Sequence, residues 1–170
     1  MKVSIREITL FGLLGAVMYI SKIVMDALPN IHLIGVLIVA ITVVFRAKAL
    51  YTIYTFVFLT GLLNGFGVWW VPYLYIWTVL WGAVMLLPRF KKKAVEVVAL
   101  AVVCSLHGFL YGTLYAPVQA LFYGLDFKAT IAWIVAGFPF DAIHGISNLL
   151  CGTLIIPITK ILEKAKNLAT

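Results

Sequence analysis

Long apolar runs alternate along the chain with short breaks of turn-forming or charged residues. A membrane-spanning helix needs roughly 20 mostly apolar residues, and six runs of about that scale follow one another. The first covers 5–28 and stops at Pro29 and Asn30, because proline cannot continue a helix. The second, 31–45, ends at Arg46, Ala47 and Lys48. At about 15 residues, or roughly 22 Å, it must tilt little or fall short of one interface. The third is 49–66, followed by Gly65-Phe66-Gly67 and the pair Trp69-Trp70, an interface turn because indole rings favour the headgroup level. The fourth, 71–87, is stopped by Pro88 and the basic residues Arg89, Lys91, Lys92 and Lys93. The fifth runs over 94–123 to a turn at 124–128. The sixth covers 129–162, interrupted at Gly137-Phe138-Pro139 and followed by a charged tail at 163–166. The last two runs, about 30 residues each, predict tilt or interfacial helical ends.

Composition turns this pattern into a class. Hydrophobic residues make up 64% of the 170 positions and charged ones only 11%, whereas soluble domains are nearer 45–50% apolar. A water-soluble fold cannot hide that much apolar surface behind so few charges. An ordinary soluble enzyme, a disordered tail and a nucleic-acid module are excluded. The expectation is an all-α integral membrane protein: one domain over 1–170, a bundle of six transmembrane helices, with no room for an ATPase. Lys2 and Arg6 precede the first run, but that run continues past Lys22, so it predicts a span rather than a cleaved signal peptide. No internal repeat or linker is visible. Cys104 and Cys151 sit in apolar runs without metal-ligand spacing and read as small buried hydrophobes.

The net charge of +7 is distributed as a topology signal. With six spans, Lys2, Arg6, Arg46, Lys48, Arg89, Lys91, Lys92, Lys93, Lys160, Lys164 and Lys166 fall on one side, 11 of the 13 basic residues, leaving Lys22 and Lys128 on the other. The positive-inside rule then predicts that both termini are cytoplasmic.

Two polar stripes carry the candidate chemistry. His107, Tyr111, Tyr115 and Gln119 are four apart on span five, with Gly108 and Gly112 beside them. Trp133, Gly137, Asp141, His144 and Asn148 share a face of span six. Polar groups are costly in lipid and face the bundle interior or a cavity. They serve either interhelical hydrogen bonds (Asp141 to His107 or His144, Asn148 to a backbone carbonyl) or a ligand cavity, with His144 and Asn148 the deeper, structural members. Trp69, Trp70, Tyr73, Tyr75 and Trp77 add rings that either form an aromatic belt or stack on a planar heterocycle or a cation. Gly12 and Ala16 form a small-xxx-small step that allows close packing of another helix, in this chain or in a partner. No GxSxG, HExxH or P-loop motif is present. Asp141 and His144 lie one helical turn apart, and Ser105, Ser147 and Cys151 are nucleophiles only in the loosest sense, so the reading is a non-enzyme.

The chain resembles the substrate-specific (S) components of energy-coupling factor (ECF) transporters. The resemblance rests on six short spans and on Gly137-Phe-Pro-Phe-Asp141-Ala-Ile-His144-Gly-Ile-Ser-Asn148-Leu-Leu-Cys-Gly152, followed by Pro157 and Lys160. His107-Gly-Phe-Leu-Tyr-Gly112 is similar to the preceding helix of that family. The resemblance implies a multi-pass subunit of a prokaryotic cell membrane that captures a vitamin or related heterocycle from outside. It implies docking on a transmembrane coupling protein carried by two cytoplasmic ATPases, so that ATP is used by partners and the chain needs no cofactor of its own. The family's Ala-x-x-x-Ala docking motif corresponds to Gly12 and Ala16. Its outer pocket corresponds by location to Asn30, Trp69, Trp70, Tyr73, Trp77, Tyr115, Gln119, Tyr123 and Trp133, with His107, Asp141, His144 and Asn148 as a buried polar network. Few outward cations argue against a polycarboxylate ligand; many rings and a few amides fit a planar, mostly neutral one. The competing expectation is a self-sufficient secondary carrier, which is usually larger and built of repeats.

Overall fold

The structure, a computed structural model, describes residues 3–88 and 90–169. Lys2 and Arg89, two of the basic residues counted above, lie outside them. The described residues are helical and contain no strand. Five helical stretches are long and apolar enough to cross a membrane: Ile5–Val24, Ile34–Asn64, Val68–Leu86, Lys93–Tyr123 and Phe127–Ala169.

Helix α1, Ile5–Val24, starts at a capping box: the Glu7 N–H donates to Ser4 Oγ, and the Ser4 N–H donates to the Glu7 carboxylate. It ends four residues earlier than the apolar run, and 25–33 turns instead. Helix α2, Ile34–Phe45, is apolar on every face, and ten of its 12 residues are buried. A helix hydrophobic all round belongs inside, and α2 is the axis of the core, packed by the helices around it. This answers its short length: it is surrounded by protein.

Arg46 follows with φ 54° and ψ −123°, a backbone conformation that side chains rarely adopt. After a 3-10 turn, Arg46–Lys48, the chain enters α3, Ala49–Asn64. Phe11 touches the rings of Phe45 and Tyr51, and a Cβ on Gly15 would meet Thr55. Helix α3 therefore runs parallel to α1 and antiparallel to α2: the 31-residue apolar stretch folds back on itself at Arg46. Helix α4, Tyr73–Leu86, follows a second 3-10 turn, Val68–Trp70.

The fifth run divides. Helix α5, Lys93–Phe109, and α6, Tyr111–Tyr123, meet at Leu110. The cause is visible: both carboxylate oxygens of Asp141 lie 3.0 Å from the Gly112 N–H, which is diverted out of the helical ladder. The sixth run also breaks elsewhere than expected. Helix α7, Phe127–Cys151, continues through Pro139, and the interruption falls at a 3-10 turn, Gly152–Leu154. Proline is tolerated inside apolar helices whose neighbours re-satisfy the freed carbonyl. The residues expected as a charged tail belong to α8, Ile155–Ala169.

Helices α5 and α7 form an antiparallel pair at very close range. Along it, Ala101 faces Gly152, Cys104 faces Asn148, Gly108 faces Gly145 and Gly112 faces Asp141. A Cβ added to Gly108 would lie 2.8 Å from the Gly145 Cα, so only small residues permit this approach. Lys48 pairs with Glu7, Lys166 donates to the Val44 carbonyl, and Ser4 Oγ donates to the Ala169 carbonyl, which gathers both termini and the α2–α3 turn at one end. The outside is covered by exposed Leu13, Val17, Val98, Leu106, Ile146 and Leu150, a surface suited to lipid.

Candidate functional site

At the end opposite the gathered termini, Pro29 blocks continuation of the helix and Asn30 adopts φ 60°, a conformation asparagine tolerates better than most residues. The turn brings His32 back over the bundle. Beneath it lies a cavity of about 250 Å³, with Lys22, Asp26, Asn30, His32, Tyr73, Tyr111 and His144 among its lining residues. Lys22 and Asp26 form an ion pair one turn apart at its rim, 3.7 Å between Nζ and Oδ1.

The chain has three histidines, and all of them meet around Tyr111. The His32 and His144 rings are edge-on with centroids 4.5 Å apart; His144 lies 5.0 Å and His107 6.3 Å from Tyr111. Trp77, almost fully buried, packs against Tyr111, His107, Tyr73 and Phe56 at centroid distances of 5.8, 5.7, 5.4 and 6.2 Å. His107 Nε2 donates to the Ile76 carbonyl at 3.0 Å, which assigns the proton to Nε2 and makes Nδ1 an acceptor. That Nδ1, His32 Nδ1, His144 Nε2 and Trp77 Nε1 are all buried without a hydrogen-bond partner. Buried polar atoms are normally paired, so four unpartnered ones around one aromatic cluster are unusual. Burial holds the His32 imidazole neutral, lowering its pKa from 6.5 to about 4; Lys22 acts in the same direction, and the residue's own backbone opposes both.

The predicted site residues separate into groups. Asn30, Tyr73 and His144 line the cavity, and Trp77 and His107 stand behind Tyr111. His144, expected among the deep structural groups, is a wall residue. Asp141 bonds neither His107 nor His144, as its carboxylate is occupied by Gly112. Asn148 Nδ2 donates to the Cys104 carbonyl at 3.1 Å. Trp69 packs on Tyr73 at 5.8 Å and accepts the Tyr115 hydroxyl on its carbonyl at 2.7 Å, while Tyr115 stacks on Trp133 at 6.2 Å. Trp70 ties its turn to α3, donating from Nε1 to the Val57 carbonyl at 2.8 Å. Gln119 and Tyr123 lie further out on α6 and do not line the cavity; Tyr123 is 63% exposed. On α1, open space lies beside Gly12, whereas Gly15 is the glycine used against α3.

Compared with family models, curated proteins and solved structures, the chain matches none.

Sequence reasoning missed His32, Lys22 and Asp26, and named Tyr111 only as part of a stripe. His32 falls inside the second apolar run, 31–45, as read from the sequence, but lies in the turn before α2, which begins only at Ile34. The available signal was the presence of only three histidines, one of them two residues after Asn30. Chemically, the site offers stacking faces, imidazole nitrogens and a donor-only indole. Among the described residues, no three His, Cys, Asp or Glu side chains converge as metal ligands.

Proposed function

We propose that this chain is a membrane-embedded solute receptor, an S-component-type subunit of an ECF-like importer that captures a small, planar, mostly uncharged heterocycle from outside a prokaryotic cell. The observation that carries this reading is the cavity beneath the α1–α2 turn, with four unpartnered polar atoms in and behind its aromatic wall. Its volume lies just below the 300–1,000 Å³ of drug-sized sites, which favours a ligand of one or two rings.

In this reading the chain crosses the membrane six times, with α2 and α3 as separate crossings. The end rich in Arg46, Lys48 and Lys166 faces the cytoplasm by the positive-inside rule, and the cavity opens outside. Inward release requires partners: a coupling protein docking on α1 at Gly12 and Ala16, where the open space beside Gly12 leaves room for a helix, and two ATPases that use ATP.

The test is native mass spectrometry of the purified protein for a co-purifying small molecule, followed by retention in variants. A heterocycle retained by the lipid-facing control Val98→Ala but weakened at least about tenfold by Tyr111→Ala or His144→Ala supports the reading. Equal retention in all three rejects the cavity as the site. Full ATP-independent uptake by the chain alone in liposomes would favour a self-sufficient carrier instead.

A further inference from the structure

A second cavity, of about 480 Å³, lies at the other end of the molecule. Its lining includes Val43, Arg46, Val84, Leu87, Glu96 and Leu100, contributed by α2, α4, α5 and the turns that follow α2 and α4. It is independent of the solute cavity and plays no part in the reading above.

The charges of this cavity do not cancel. Glu96 is already paired with Lys93, 2.9 Å between Nζ and Oε2 on its own helix. Arg46 makes no ion pair among the described residues; its guanidinium donates once, from Nη2 to the Met85 carbonyl at 3.4 Å. Most of the five N–H donors of the fork are therefore uncommitted. The residue is also held in position. Trp81 Nε1 donates to the Arg46 carbonyl at 3.1 Å, fixing a backbone at φ 54° that glycine would adopt more readily. An arginine with a fixed backbone and an unpaired guanidinium thus shares a cavity with apolar walls, and Lys91 and Lys92 lie on the α4–α5 connection with Lys93 at the start of α5.

We propose that this cavity is a binding site for an anionic glycerophospholipid: Arg46 takes the headgroup phosphate, and Val43, Val84, Leu87 and Leu100 take the glycerol and the first acyl carbons. Basic pockets between membrane helices bind such headgroups by the same combination, and a guanidinium matches phosphate in charge and fork geometry. A soluble anion would need the cation but not the apolar walls.

The test uses the full chain in detergent, with native mass spectrometry after addition of dioleoylphosphatidylglycerol, dioleoylphosphatidylcholine or inorganic phosphate. Phosphatidylglycerol should be retained about tenfold more strongly than phosphatidylcholine, the scale of charge-assisted hydrogen bonds. Arg46→Gln should remove the preference. Arg46→Gly should remove it too, and because glycine suits that backbone the variant stays folded, which thermal unfolding checks. Lys128→Gln, at the far end, should retain the preference. Equal retention of both lipids by the unmodified chain, or a preference surviving Arg46→Gly, would overturn the proposal. So would inorganic phosphate bound with the same Arg46 dependence and able to displace the lipid, since that describes a soluble-anion site.

Discussion

The polar stripes of α5 and α7 have two fates within two helical turns. On the face where the two helices meet, the pair is closed: Ser105 Oγ donates to the Gly145 carbonyl at 2.9 Å, Asn148 to Cys104, and Gly108 lies against Gly145 backbone. At the same depth, the chain neighbours His107 and His144 turn instead towards Tyr111; His144 and Tyr111 line the cavity, and His107 Nδ1 and His144 Nε2 have no partner. The difference lies in side-chain size. Where glycines face glycines, backbones meet, and Ser105 Oγ and Asn148 Nδ2 find carbonyl partners, although Asn148 Oδ1 is left without one. Where rings turn away from that contact towards the α1–α2 turn, a cavity remains beside them. A polar residue in an apolar helix is therefore not functional by virtue of being polar; its neighbour across the interface decides.

The sharpest way to break this contrast is to spoil the closed crossing. Gly108→Val should cost about 3 kcal/mol or prevent folding, because its Cβ would meet backbone rather than a movable side chain. Thermal unfolding in detergent reads this, and a variant as stable as the parent would show that the crossing is not tight.

The open region should respond in binding rather than in fold. Tyr111→Ala should weaken the co-purifying solute roughly 10- to 100-fold, from the loss of about 1.5–3 kcal/mol of ring burial. Weakening by Asp141→Ala of similar size, with no loss of stability, would reverse the assignment of roles. The expected result for Asp141→Ala is instead a stability loss of about 1–3 kcal/mol, since the Gly112 N–H would be buried unpaired, while Asp141→Asn keeps an acceptor and loses less.

A smaller effect distinguishes the loop over the cavity. His32 has a folded-state pKa near 4, below its ordinary 6.5. Between those values the unfolded chain holds a proton that the folded loop excludes, so His32 contributes stability present above pH 6.5 and lost as pH falls towards 4. His32→Gln should make the fall in stability over that window shallower; an unchanged slope would mean that the loop is hydrated. The smallest effect is expected at Gly12. Gly12→Leu should change stability by no more than about 0.5 kcal/mol and spare solute retention, because the space beside it is open. Only uptake with partner subunits should fail.

Much of the fold was legible in the runs. The break at Pro29 and Asn30, the reversal at Arg46 to Lys48 and the turn after Tyr123, which ends at Asp126 rather than 128, follow from residues that end helices or carry charge. The Gly112 break was not legible, because its cause, Asp141, is 29 residues away and acts only once α5 and α7 are paired. Pro139 misled for a related reason: a helix continues through proline when its surroundings absorb the missing donor. Of the cavity's lining, Asn30 and Tyr73 were expected to touch ligand and His144 to be a deeper polar group, whereas Gln119 and Tyr123 do not line it, because helical spacing reports direction around an axis and not depth along it.

By itself, the sequence determined that this protein is helical, apolar outside as well as inside, and asymmetric in charge from end to end. Those properties follow from composition and from periods of a few residues, which each segment carries alone. Tertiary structure alone decided which of two glycines on α1 is used for packing, which histidines meet, and which polar atoms are left without partners. These are properties of pairs of distant residues, set by how closely two helices approach, and that distance depends on side chains from both.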